Sequence, residues 1–116
     1  MDLAALIARM DAQRSFWAAL PDGKRVQMRR PLETEFGRFR GGVTVEHVAE
    51  YACGWEGFTE ADLLGPAIGS SDPLPFEPAL WARVVRDRVA YVKPAAQEMV
   101  KAIDAHLATR ATTAKN

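Results

Sequence analysis

The sequence predicts a single compact domain, mainly α-helical with one small antiparallel β-hairpin (α+β), over residues 1–108, followed by a flexible tail over 109–116. Three observations lead there. A chain of 116 residues with 48% hydrophobic residues is large enough for one modest core and leaves little room for a second. Apolar residues recur at helical spacing in several segments. Pro21-Asp22-Gly23 separates two short alternating runs, as a hairpin turn does.

In chain order, Asp2 caps a helix whose Leu3, Leu6, Ile7 and Met10 fall at i, i+3, i+4 and i+7, one apolar face. The hairpin occupies residues 14–30: proline presets the turn and Gly23 supplies a positive φ. A three-residue loop pairs Leu20 with Lys24, so Ala18 faces Val26 and Phe16 faces Met28 on one apolar side. Trp17, Ala19, Arg25, Gln27 and Arg29 take the other side. Pro31 ends the second strand, and a short helix over Leu32 to Arg40 runs into Gly41-Gly42.

Thr44 caps a helix that carries Val45, Val48, Ala49 and Ala52 on one face and Glu46 and Glu50 on the other, ending near Gly54. Trp55-Glu56-Gly57-Phe58 then forms an aromatic elbow. Thr59 to Asp62 has the spacing of a capping box for a very short helix that contains Leu63 and stops at Gly65-Pro66. Ala67 to Pro75 reads as loop. Pro78 starts a long helix with Trp81, Val85, Val89 and Val92, and Pro94 starts or kinks another with Ala96, Val100, Ile103 and Leu107. The expected core is Val45, Val48, Trp55, Leu63, Leu64, Trp81, Val85, Val100 and Ile103.

Formal net charge is zero, but it is laid out in blocks. Residues 14–40 carry +4, residues 41–80 carry −7 with no Lys or Arg, and residues 81–116 carry +4. Such blocks satisfy one another within a fold or between copies. A neutral domain with an acidic centre argues against nucleic-acid binding, although Lys24 to Arg30 is a basic strand and a hairpin among helices occurs in DNA-binding folds. No run of eighteen or more apolar residues is present and Met1 to Met10 lacks a secretory pattern, so the expectation is a cytoplasmic protein.

Reactive side chains are few. Cys53 has no partner for an internal disulfide and is expected as a reduced, buried small hydrophobe. His47 and Cys53, six residues apart, point in separated directions on one helix, which argues against a shared metal. Glu46 and Glu50 share a helix face without a nucleophile nearby, and Ser70-Ser71-Asp72 has only distant histidines. Catalytic, metal and cofactor residues are therefore expected to be none. The candidate partner surface is Trp17 with Arg25 and Arg29, together with Glu46 and Glu50 as acidic counterparts on a neighbouring copy. Trp55, Phe58, Thr59, Asp62 and Leu63 are expected to form a structural elbow rather than a ligand loop.

The order LPDGKRVQMRRPLETEFGRF, then CGWEGFTEADLLGP, then SDPLPFEPALWARVVRDR resembles small tail assembly chaperones of long-tailed, siphovirus-type bacteriophages and prophages. The closest match is the W-x-G-x-T-x-x-D-L segment at Trp55 to Leu63, followed by Pro75-Phe76 and the Trp81 helix; the resemblance spans roughly residues 14–105. It implies a non-enzymatic protein of the host bacterial cytoplasm, without cofactors, that binds the tape measure protein, keeps it soluble, meets the tail tube protein and self-associates. A structural or adaptor subunit of the tail or neck, and a small DNA-binding regulator, are the alternative readings. Related phages extend the chaperone by programmed frameshifting. The codons of Ala114-Lys115-Asn116 are accordingly expected to contain a repeated-base slip site, and reading the gene checks it.

Overall fold

The computed structural model describes residues 2–115, and the side chains of residues 2–113. Five helices and a three-stranded antiparallel sheet follow one another as α1 (Leu3–Gln13), β1 (Ser15–Ala19), β2 (Arg25–Arg29), α2 (Val45–Glu50), β3 (Ala52–Glu56), α3 (Glu60–Leu64), α4 (Pro78–Asp87) and α5 (Val92–Lys115), with 3₁₀ turns at Pro21–Gly23, Glu33–Phe39 and Val89–Tyr91. The α+β single domain is thus present, with one strand more than the expected hairpin.

The hairpin has the register that its alternation demands. Phe16 pairs with Met28 and Ala18 with Val26, and the Leu20 amide donates to the Lys24 carbonyl at 2.8 Å. In the turn, Asp22 takes a left-handed φ of 63° beside Gly23 at 73°, a conformation that aspartate tolerates better than most residues. β3 joins the other edge of β2, so the sheet order is β1-β2-β3. This corrects the expectation that the Thr44 helix runs to Gly54: Thr44 does cap α2, but the helix stops at Glu50 and the chain turns at once into an extended strand. The reason is pairing across the sequence. Trp55 opposite Val26 puts an aromatic on the apolar face, and Glu56 opposite Arg25 puts a carboxylate on the polar one. A bulge between Gln27 and Met28 leaves Cys53 out of the alternation, and the cysteine is half-buried rather than fully enclosed.

The core lies between the inner face of the sheet and α2, α4 and α5. Ala18, Val26, Met28, Val48, Trp81, Val85, Ala95 and Met99 are fully enclosed there. Among the expected core residues, Val48, Trp55, Trp81, Val85 and Ile103 are buried, while Val45 and Leu63 are half-buried. Leu64 and Val100 are exposed, contrary to expectation, at 55% and 43%. Leu64 ends a five-residue helix that turns its other side inward, and Val100 lies on the outer side of α5, one position beyond Met99.

Two further expectations change. The helix begun at Pro78 breaks at Arg88, so Val89 falls in a 3₁₀ turn at 81% exposure and α5 starts at Val92, ahead of Pro94. A proline in the first turn of a helix removes no hydrogen bond that could have formed. The tail expected to be flexible from residue 109 is helical through Lys115; Thr109, Thr112 and Thr113 donate their hydroxyls to carbonyls one turn back. Asn116, the last residue of the anticipated tail, lies outside the described residues.

Trp81 is the largest enclosed side chain, and its indole N–H donates to the Val48 carbonyl at 3.0 Å. That bond satisfies a carbonyl in the last turn of α2 and pins α4 to it. Trp81→Ala is expected to destabilise the fold by about 3–5 kcal/mol, by opening a cavity and leaving that carbonyl unpaired. Urea unfolding followed by circular dichroism measures it.

Candidate functional site

The rings of the aromatic elbow are buried in the core. Trp55 and Phe58 stack at 4.2 Å between centroids, and each meets Trp81 edge-on, at 6.4 and 6.2 Å. Phe76 covers the far side of Trp55 and Tyr91 meets Phe58. The Trp55 indole N–H donates to the Leu74 carbonyl at 2.9 Å, and the Leu74 amide returns a bond to the Phe58 carbonyl at 2.8 Å. A segment that reads as loop is thereby tied to the elbow. Gly57 is required here: at φ 90° a Cβ would stand 3.0 Å from the Gly23 carbonyl and 3.2 Å from the Lys24 Cα.

Thr59 and Asp62 form the capping box expected of them. The Asp62 carboxylate accepts from the Thr59 amide and hydroxyl, both at 2.8 Å, and the Thr59 hydroxyl accepts from the Asp62 amide. Asp62 also accepts from the Lys24 ammonium at 3.1 Å, and Lys24 is a buried cation at 7% exposure. The Thr59 hydroxyl first, then Lys24, hold the Asp62 carboxyl below its ordinary range. Leu63 is half-buried, and its carbonyl accepts from Arg88 at 3.2 Å. Nothing in the spacing of residues 24 and 62 announced their pairing.

The acidic partner candidates are committed within the chain. Arg86 holds Glu46 at 2.6 Å and Arg38 holds Glu50 at 2.6 Å, and each arginine keeps its carboxylate below the ordinary range. Arg25 bridges Glu56 at 2.7 Å, and this bond lowers the Glu56 carboxyl. Tyr51 donates to Glu35 and accepts from Arg38; burial first, then the Glu35 bond, pushes its hydroxyl up to about 12. The opposite charge blocks therefore meet inside one copy. His47 serves α2 locally: its Nδ1 takes part in the Thr44 cap at 3.1 Å, and its ring packs on Phe39 at 4.4 Å. Among the described residues, no three His, Cys, Asp or Glu side chains gather as a metal site, and no helix is long and apolar enough to cross a membrane.

Trp17, Arg25 and Arg29 do come together, on the outward face of the sheet. Register places Trp17, Gln27 and Gly54 in one row across the three strands, with Arg25 and Glu56 in the next. The Arg25 guanidinium lies 3.9 Å from the centre of the Trp17 ring, a cation–π contact that leaves the indole half-buried. Arg29 is exposed, with no carboxylate within ion-pair distance among the described residues. Glu50 lines a small cleft together with Arg29, Tyr51 and Cys53, whereas Glu46 is held away from them by Arg86 on α4.

Two apolar stripes that the sequence marks are left open by the fold. No residue of α1 is buried: Leu3, Ile7 and Met10 are 68%, 58% and 57% exposed, so the stripe has no cover. A groove of about 810 Å³ runs along α5 between Val43, Val89, Val92, Ala96 and Val100, with Lys93 and Lys101 beside it. The helical period marked each stripe as apolar but could not say whether the fold covers it. A second cleft, of about 690 Å³, gathers Arg14, Arg30, His106 and Arg110 around Glu33 and Asp11; Glu33 bonds His106 at 2.7 Å and Arg110 at 2.9 Å, Asp11 pairs with Arg14 at 3.0 Å, and an excess of positive charge remains. No protein-family model, curated protein or solved structure matches the chain.

Asp62→Asn leaves a buried ammonium with a weaker partner and is expected to cost about 1–3 kcal/mol, less than a fully buried pair because water reaches Asp62. Lys24→Met, which removes the buried charge with its need for a partner, should cost less. Because the folded Asp62 carboxyl titrates below its unfolded value, its contribution is complete above the ordinary carboxylate range and lost as pH falls through the depressed value. Acid unfolding of Asp62→Asn should show a correspondingly shallower limb.

Proposed function

We propose that the chain is a tail assembly chaperone of long-tailed phages, acting in the host bacterial cytoplasm without chemistry of its own. In this reading it holds the tape measure protein, a long helical chain, soluble until the tail tube protein assembles along it. Support from the sequence is the ordered set of segments over residues 14–105. The observation that carries the reading is the uncovered outer face of the sheet. It offers one large aromatic anchor, Trp17, braced by Arg25 at 3.9 Å, with Arg29 unpaired beside it. Tryptophan and arginine are the residue types that dominate binding hot spots.

An amphipathic client helix laid over this face would cover the indole with its apolar stripe and meet Arg29 with a carboxylate at its rim. The indole is already held by the sheet and by Arg25, so little side-chain freedom is lost on binding. The elbow contributes indirectly by fixing β3, and through it the pitch of the face.

Co-expression with the tape measure protein is expected to keep that protein soluble and to co-purify it. Trp17→Ala should lower capture by at least about 30-fold, as loss of a hot spot of 2 kcal/mol does, and Arg29→Ala by less than about 5-fold. Circular dichroism verifies that both variants fold. Capture that is indifferent to Trp17→Ala rejects this face, and a tape measure protein equally soluble without the chain rejects the chaperone reading. Stoichiometric recovery of the chain from purified particles would assign it instead to the virion structure.

A further inference from the structure

We propose that the basic cleft at the open end of the hairpin binds a dianionic phosphate group, free or esterified to a small molecule, with Arg30 as its principal contact. The site uses neither Trp17 nor a protein client, and it stands whether or not the chaperone reading does.

Four elements converge there. Arg14 follows α1, Arg30 follows β2, Glu33 opens the 3₁₀ turn at Glu33–Phe39, and His106 and Arg110, four residues apart on α5, share one helix face. The hairpin forces the first two together. Ser15 pairs with Arg29, and the Arg30 amide donates to the Arg14 carbonyl at 2.8 Å, so the two arginines stand opposite each other one step beyond the strands. Like charges in that relation repel. Asp11 answers Arg14 at 3.0 Å, and Glu33 Oε2 bonds His106 at 2.7 Å and accepts from Arg110 Nε at 2.9 Å. Arg30 is left over. It is half-buried, its guanidinium donates to the Pro31 carbonyl at 2.7 Å, and among the described residues no carboxylate lies within ion-pair distance of it. Burial first, then the charge of Arg14, holds this guanidinium below the ordinary arginine range, and Glu33 offsets them only in part. A half-buried cation among cations is relieved by an added anion.

Charge and shape set the class of that anion. Three arginines against Asp11 and Glu33 leave one positive charge in the cleft, and protonation of His106 makes it two. A phosphate dianion matches this excess, whereas a carboxylate supplies half of it. Phosphate also offers three acceptor oxygens to guanidinium groups that arrive from different elements, where a carboxylate offers two. Glu33 engages only the Nε of Arg110, so both terminal nitrogens remain able to donate. A volume of about 690 Å³ exceeds a bare phosphate and lies in the range of small-molecule sites. Met10 and Leu32, 57% and 50% exposed, add apolar lining for an ester group. The two carboxylates and the neutral chain disfavour a polyanion such as nucleic acid.

Isothermal titration of the full chain at low ionic strength, with inorganic phosphate, phenyl phosphate and benzoate, tests the site. Both phosphates are expected to bind, and benzoate at least about tenfold more weakly than phenyl phosphate. Phenyl phosphate tighter than inorganic phosphate assigns an ester, and equal affinity assigns the free ion; either upholds the site. Arg30→Gln should weaken phenyl phosphate at least about tenfold. Glu33→Gln, which removes a competing negative charge, should tighten it about two- to fivefold, a gain that a merely structural Glu33 would not give. Circular dichroism verifies folding; should Arg30→Gln fail to fold, Arg110→Gln, at an exposed position, is expected to show a loss of about threefold or more. The proposal is overturned by the absence of phosphate binding up to about 10 mM, by binding that Arg30→Gln or its substitute leaves unchanged, or by benzoate bound as tightly as phenyl phosphate. An oligonucleotide that binds through Arg30 more tightly than either phosphate overturns it as well.

Discussion

The stack of Trp55 on Phe58, closed at its edge by Trp81, is the contact on which the rest of the molecule depends. Trp55 belongs to β3, Phe58 to the elbow and Trp81 to α4, so three rings join the sheet to the helical layer. Each carries a large apolar area into the core, and both indole N–H groups find carbonyls, at Leu74 and Val48. Neither bond is incidental: one ties down the loop before α4, and the other fixes α2 against α4. A buried indole without a partner would have cost roughly what each bond now secures.

That constraint reaches outward through the backbone. Packing the elbow brings Gly57 against the hairpin turn at Gly23 and Lys24, a close approach that excludes any side chain. The same approach buries Lys24, and the ammonium is matched by Asp62, which is already held by the cap of α3. Gly69 shows similar crowding, since a Cβ there would fall 2.5 Å from the backbone of Glu60 and Ala61. Loop, turn and short helix therefore form a single unit around the aromatic stack, although each reads separately as an irregular connection.

The charge blocks find their use in the same architecture. Basic residues 14–40 and the basic C-terminal third enclose the acidic middle, and Arg25, Arg38 and Arg86 each take a carboxylate from it. Exposed pairs of this sort add little stability individually. Their effect is to leave the outer surface nearly balanced outside the Arg30 cleft, so the surfaces still able to bind are that cleft and those that the fold does not cover: the Trp17 face, the α1 stripe and the α5 groove.

Local features were legible from the sequence because their causes are local. The Asp2, Thr44 and Thr59 caps, the hairpin register with its apolar and polar sides, the elbow and the placement of Trp17 beside Arg25 all follow from period, turn chemistry and capping groups within a few residues. What only the tertiary structure decided was pairing at a distance. Residues 52–56 became a strand because β2 offered an edge with Val26 and Arg25 in the right register, whereas their own spacing suited the end of a helix. Lys24 reached Asp62, and Glu46 reached Arg86, across 38 and 40 residues. The apolar faces of α1 and α5 are equally plain as periodicity, but an amphipathic stripe records only that a helix has a face to bury. Whether its own chain supplies the cover depends on where the other elements come to lie, and here they cover neither.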